Sequence, residues 1–124
     1  MRIGFDAKRA FSNFTGLGNY SRDTIRVLHE HFPENQYYLF SPKVIYNPRL
    51  EFINHNLKVI SPKGILDKVF PSFWRSKNII KDLRKNKVDL YHGLSHELPI
   101  GIEKTKIKTV VTIHDLIFLR FPNL

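Results

Sequence analysis

The strongest constraint on this chain is the order of its segments. Ile3-Gly4-Phe5 is a short apolar run suited to a buried strand. It leads into Phe14-Thr15-Gly16-Leu17-Gly18-Asn19, and residues 19–32 then carry Ile25, Leu28 and Phe32 at helical spacing, with Tyr20, Thr24 and Val27 beside them. Strand, glycine loop, helix is the opening of a parallel α/β unit. Pro33-Glu34-Asn35 closes the helix, and Tyr37-Tyr38-Leu39-Phe40, bounded by Ser41-Pro42, reads as a second strand. Residues 44–55 match no clear pattern. Leu57-Lys58-Val59-Ile60, closed by Ser61-Pro62-Lys63-Gly64, is a third strand.

Residues 71–87 return to a helical period: Phe73, Ile80 and Leu83 share one side, with Ile79 near its edge, while Lys77, Lys81 and Lys85 form a basic stripe elsewhere. Val88-Asp89-Leu90-Tyr91-His92 runs as a strand into Gly93, and Thr109-Val110-Val111-Thr112-Ile113 runs as another into His114-Asp115. Strands and helices alternating at this spacing predict parallel strands joined by right-handed crossovers, a Rossmann-like open parallel sheet flanked by helices. Ligands of such sheets sit outside the carboxyl ends of the strands. That rule gathers the loop after Phe5, the segment after Tyr91 and His114-Asp115 along one edge.

At 124 residues there is room for one domain, and 42% hydrophobic against 25% charged residues is the composition of a folded globular chain. The absence of cysteine excludes a disulfide framework, a thiolate metal site and a cysteine nucleophile, and fits a reducing compartment. Charge at Asp6 and Lys8 interrupts any signal-peptide core, and no stretch approaches the ~20 apolar residues of a spanning helix. A net charge of +9 favours an anionic partner: a phosphorylated small molecule, an anionic membrane surface or nucleic acid. No zinc-finger, RNP or KH signature is present and the aromatics fall in predicted strands, so nucleic acid is not expected.

Gly16 and Gly18 offer positive φ and close backbone approach, and Asn19 or Ser21 is placed to cap the following helix, whose free amides favour phosphate. A tight turn chosen for backbone geometry alone fits the same residues. The spacing is neither G-x-G-x-x-G nor a P-loop, which disfavours an ordinary NAD domain or an ATPase. His114, after a buried strand, suits contact with a sugar hydroxyl or a proton near neutral pH. Asp115, its neighbour, points to the opposite face unless the backbone turns, which argues against a His-Asp dyad; a histidine satisfied by backbone at a strand end is the structural alternative. His92 and His96 are four apart with Glu97 adjacent, but Gly93 and Pro99 break any helix there and H-E-x-x-H is absent, so no metal site is expected. Ser95 beside these histidines lacks a G-x-S-x-G elbow. The stripe Lys77, Lys81, Lys85, reinforced by Arg75, Arg84 and Lys87, reads either as a solvated helix face or as contact with anionic lipid, with Phe70, Phe73 and Trp74 as interfacial anchors.

Together, "MRIGFDAKRAFSNFTGLGNYSRDTIRVL", "DLYHGLSHELP" and "TVVTIHDLIFLRFP" resemble the amino-terminal domain of retaining glycosyltransferases of the GT-B fold, family four, especially mannosyltransferase-like bacterial members. The resemblance spans residues 1–122, although 41–72 carry no motif. It implies two Rossmann-like domains facing across a cleft, with a nucleotide-diphosphate sugar held mainly by the carboxyl-terminal one and a saccharide or lipid-linked saccharide acceptor mainly by the amino-terminal one. Gly16, Leu17 and Gly18 match the loop against the donor diphosphate, and His114 the residue facing the transferred sugar. Asp115 and Asn19 match supporting positions, and His92, Gly93, Ser95 and Glu97 border the acceptor. The family needs no DxD triplet and no metal: positive side chains and helix dipoles stabilise the departing diphosphate, which itself helps to take the acceptor proton.

The family's carboxyl-terminal half, with its E-x7-E pattern and Arg/Lys pair, is not in these residues. A truncated gene product, a partial sequence or a shortened piece of a longer enzyme is the expectation, inactive on its own and cytoplasmic, either free or peripheral at the inner face of the membrane. The rival reading is a non-catalytic α/β module that binds a phosphorylated ligand or an anionic membrane surface.

Overall fold

The computed structural model of the chain describes residues 1–45, 48–53 and 56–123, Phe118 by its backbone alone. Five strands form one all-parallel sheet: β1 (Arg2–Asp6), β2 (Gln36–Phe40), β3 (Leu57–Ile60), β4 (Leu90–Gly93) and β5 (Lys108–Val111), in the order β3-β2-β1-β4-β5. The helices α1 (Lys8–Ser12) and α2 (Gly16–His31) link β1 to β2. Between β3 and β4 lie α3 (Ile65–Val69), α4 (Pro71–Phe73) and α5 (Ile79–Lys85), and α6 (Ile117–Arg120) follows β5. This is the Rossmann-like arrangement the sequence predicts. Residues 44–55, without an expected element, fall partly outside the described set; within it a 3-10 turn spans Pro48–Leu50. Among the described residues no helix is long and apolar enough to cross a membrane.

Alternation along the strands divides the core into two layers. Ile3, Phe5, Tyr37, Leu39 and Leu57 meet Ala10, Phe11 and Ile25 of α1 and α2 on one face. On the other, Tyr38, Phe40 and Tyr91 meet Trp74, Ile79 and Leu83. Each fully buried large side chain of this kind contributes roughly 1.5–3 kcal/mol. Chain direction along the sheet reverses between β1 and β4, because β1 continues outward through β2 and β3 before the chain returns to β4. Such a switch point opens a crevice at the carboxyl ends of the two strands, here Asp6 and Gly93.

Two helices differ from expectation. In α2 the buried face is Gly18, Ser21, Arg22, Ile25 and His29, while Phe32 and Val27 are exposed and Leu28 is only half-buried. Arg22 explains the shift: one guanidinium nitrogen donates to the carbonyls of Ala10 (2.9 Å) and Asn13 (2.7 Å), the other to Asn19 Oδ1 (2.7 Å), so a cation occupies ground an apolar side chain was expected to fill. Burial lowers its pKa, with the nearby Arg49 charge adding to the effect.

In the second helix, α4 and α5 run on through a π-helical turn, Trp74–Asn78, with helical backbone at both junctions. The turn absorbs one extra residue. Leu83 keeps its expected place in the core, but Ile79, expected near the edge, is fully buried while Ile80 is only half-buried, and upstream the inward position passes from Phe73, which is exposed, to Trp74, which is buried. Trp74 Nε1 donates to Asp82 Oδ2 at 2.7 Å, so this indole is a core residue and not an interfacial anchor.

Candidate functional site

The glycine segment is the first turn of α2 and not a loop. Neither Gly16 nor Gly18 has positive φ. Gly18 is required by close approach: a Cβ there would lie 1.8 Å from the carbonyl oxygen of Asn13. The helix cap is supplied by neither Asn19 nor Ser21. Asn13 Oδ1 accepts hydrogen bonds from the amides of Thr15 (2.9 Å) and Gly18 (3.0 Å) and from the Thr15 hydroxyl (2.8 Å). Ser21 turns back to the Leu17 carbonyl, and Asn19 receives the Arg22 bond. Gly16 is exposed and Leu17 half-buried, and their amides have no partner among the described residues. A helix start with two free N–H groups accommodates an anion.

One turn farther along α2, Tyr20 packs edge-on to His114, ring centroids 4.9 Å apart, and the His96 ring packs against His114 at 5.1 Å. His114 Nε2 lies 2.7 Å from the Leu94 carbonyl, which makes it the donor and leaves Nδ1 without a described partner. Thr112 ties the cluster to the sheet: its hydroxyl is 3.0 Å from the Tyr20 hydroxyl and 2.8 Å from His92 Nε2. Burial lowers the pKa of His92. A neutral imidazole accepting from Thr112, while Tyr20 donates to the same oxygen, satisfies all three groups. Asp115 is not bonded to His114; its Oδ1 accepts from the Ile117 amide at 3.3 Å and opens α6.

The segment after β4 is pulled in two directions. His96, at φ 64°, donates its amide to the Thr112 carbonyl at 3.0 Å, which holds the loop over β5. Gly93 lies beneath it: a Cβ there would sit 2.0 Å from the Glu97 carbonyl. Ser95 is buried. Glu97 turns the other way and pairs with Arg75 at 2.8 Å.

Arg75 is the residue the sequence misled about. Counted there with the basic surface, it points inward from the π-helical turn and grips Asp6 at the end of β1, with Nε at 3.1 Å and a terminal nitrogen at 2.7 Å from Oδ2. Burial by itself would lower Arg75, but the hydrogen bond and charge of Asp6, and then Glu97, outweigh it, so the guanidinium sits above its ordinary pKa. Burial, then the Asp6 charge, pushes the neighbouring Tyr91 phenol well above its ordinary value and keeps it a donor. The only hint in sequence was that Asp6 ends a buried strand and needs a cation.

Two cavities of about 230 Å³ each share Arg75 as a wall. One lies beyond β2, against Lys8, Ser41, Lys43 and Pro71; the other lies at the switch point, against Asp6, Tyr91, Glu97 and Pro99. Neither is lined by Gly16, Leu17, Gly18 or His114. Of the expected donor residues Gly16 is exposed, Leu17 and His114 are half-buried and Gly18 is buried, while Glu97, expected on the acceptor side, borders a cavity. Lys77, Lys81 and Lys85 are exposed. Among the described residues no group of three or more His, Asp or Glu is arranged to hold a metal. Comparisons with models of protein families, with curated proteins and with solved structures find no match to this chain.

Proposed function

We propose that this chain is the acceptor-side part of a retaining glycosyltransferase, one that transfers a hexose such as mannose from a nucleotide-diphosphate sugar to a saccharide or lipid-linked saccharide. The supporting observation is the Tyr20 bridge. Through its ring against His114 and its hydroxyl on Thr112, the amide-presenting start of α2 and the histidine share one edge of a Rossmann-like sheet. In this reading the Gly16 and Leu17 amides meet a phosphate of the donor, and His114 meets the sugar beyond it. Bonding of Nε2 to Leu94 fixes the ring and leaves Nδ1 for a hydroxyl. The remaining donor contacts would come from a second domain, so the 124 residues alone are expected to be inactive.

Amide NMR of the chain titrated with millimolar GDP-mannose or UDP-glucose tests the reading. Shifts centred on Gly16, Leu17 and His114 support it. Shifts confined to the cavities around Arg75, or none with either donor, would overturn the donor-side assignment.

A further inference from the structure

The cavity beyond β2 combines charge with carbon in a way the transferase reading does not use. Its cations are Lys8, Lys43 and Arg75, and no carboxylate lines it. Arg75 is committed to Asp6 and Glu97, but Lys8 and Lys43 take part in no ion pair among the described residues. The rest of the wall is largely apolar, from Pro42, Ile45 and Pro71, with hydroxyls at Ser12, Ser41 and Ser72. Ser41 is buried and donates to the Lys43 carbonyl at 2.6 Å, which fixes the turn that carries this lysine. Such a site suits an anion attached to an apolar body better than a bare ion.

The segment that supplies Pro71 and Ser72 also carries an uncovered apolar strip. Ile65, Leu66, Val69, Phe70 and Phe73 are each more than half exposed. Lys63 and Lys68 are exposed among them, and the one acid of the strip, Asp67, is held by Asn78 at 2.7 Å. Bulky apolar side chains interspersed with lysines on short helices form a surface that enters the headgroup layer of a bilayer. The strip and the cavity meet at Pro71, so a lipid rising from that layer would bring its headgroup to the cations.

We propose that the cavity under Lys8, Lys43 and Arg75 binds the phosphate ester of a lipid, while residues 65–73 rest in the membrane surface that presents it. Casting that lipid as the acceptor rests on the transferase reading; binding it does not.

Sedimentation of the 124-residue chain with phosphatidylcholine vesicles, with and without about a fifth of phosphatidate, tests this. Phosphatidate vesicles should recruit the chain about tenfold more strongly than phosphatidylcholine alone. The gain should be lost in K8A/K43A and kept in K81A/K85A, which removes the same charge from another face. L66S/F70S should also weaken recruitment, and millimolar glycerol 3-phosphate should compete. Circular dichroism verifies that each variant is folded. Equal losses in the two lysine pairs would reduce the effect to diffuse charge and overturn the site. Binding of glycerol 3-phosphate without vesicle recruitment would overturn the lipid source. No recruitment of the wild-type chain would overturn the proposal while leaving the transferase reading intact, because nucleotide-sugar titration is read at Gly16, Leu17 and His114.

Discussion

The two ends of the segment after β4 are built on opposite principles. At one end Glu97 reaches Arg75, which grips Asp6, a carboxylate only 4% exposed. There a charge-assisted fork joins residues 69 apart in sequence. At the other end His96, His114 and Tyr20 stack at ring edges, each hydrogen bond reaching a hydroxyl or a main-chain carbonyl, with the rings partly open to solvent. The first arrangement cannot be opened without stranding a buried charge. The second can exchange a solvent contact for a ligand contact at little cost. The Asp6 contact of Arg75 is thus structural, while the rings of the histidine edge stay accessible to solvent.

Breaking the first region should have the largest effect. Arg75→Met leaves Asp6 buried without its cation and should cost about 3–5 kcal/mol in urea unfolding; a loss below 1 kcal/mol would mean that Asp6 is hydrated and the fork incidental. Gly18→Ala comes next, since its Cβ collides with backbone that cannot rotate away, at about 1–3 kcal/mol by the same measurement. His114→Ala removes one bond to a carbonyl and should cost only about 1 kcal/mol, yet it should erase nucleotide-sugar shifts near Tyr20. A large stability loss with those shifts intact would make His114 structural. Glu97→Gln, on the exposed arm of the fork, should cost about 0–1 kcal/mol and so separate that arm from the Asp6 arm.

The finest test uses pH. His92 titrates below its ordinary value because it is buried, so as pH falls through about 6.5 the unfolded chain takes up the proton first. Stability should therefore be flat above neutrality and decline from there down through the lowered folded-state pKa. His92→Gln should flatten that decline relative to wild type in melting scans across the acid range. Identical slopes would show that burial does not hold the ring neutral.

Much of the sheet was legible because its strands are short apolar runs punctuated by Pro, Gly and Ser, a local signal. Tyr37-Tyr38-Leu39-Phe40 and Leu57-Lys58-Val59-Ile60 lie within β2 and β3. The brief helix α3 had no such signal, since its apolar residues face solvent and trace no buried stripe. The inward face of α2 was misread because a guanidinium sits where apolar periodicity leads one to expect carbon. At the candidate site, Gly16, Leu17 and His114 could be singled out by residue type, though the first two open a helix rather than a loop. The Asp6–Arg75 fork was not, because it depends on which way a helix faces at one position, and no local pattern records an extra residue in a helical turn.

That extra residue carries a consequence for chain length. Closing that turn to regular α-helix with its residues kept would rotate everything upstream by about 100° about the axis. Arg75, then lying four residues before Ile79 on a regular helix, would take the inward place that Trp74 holds, without any change in either identity. The contact with Asp6 is thus specified by counting as much as by chemistry.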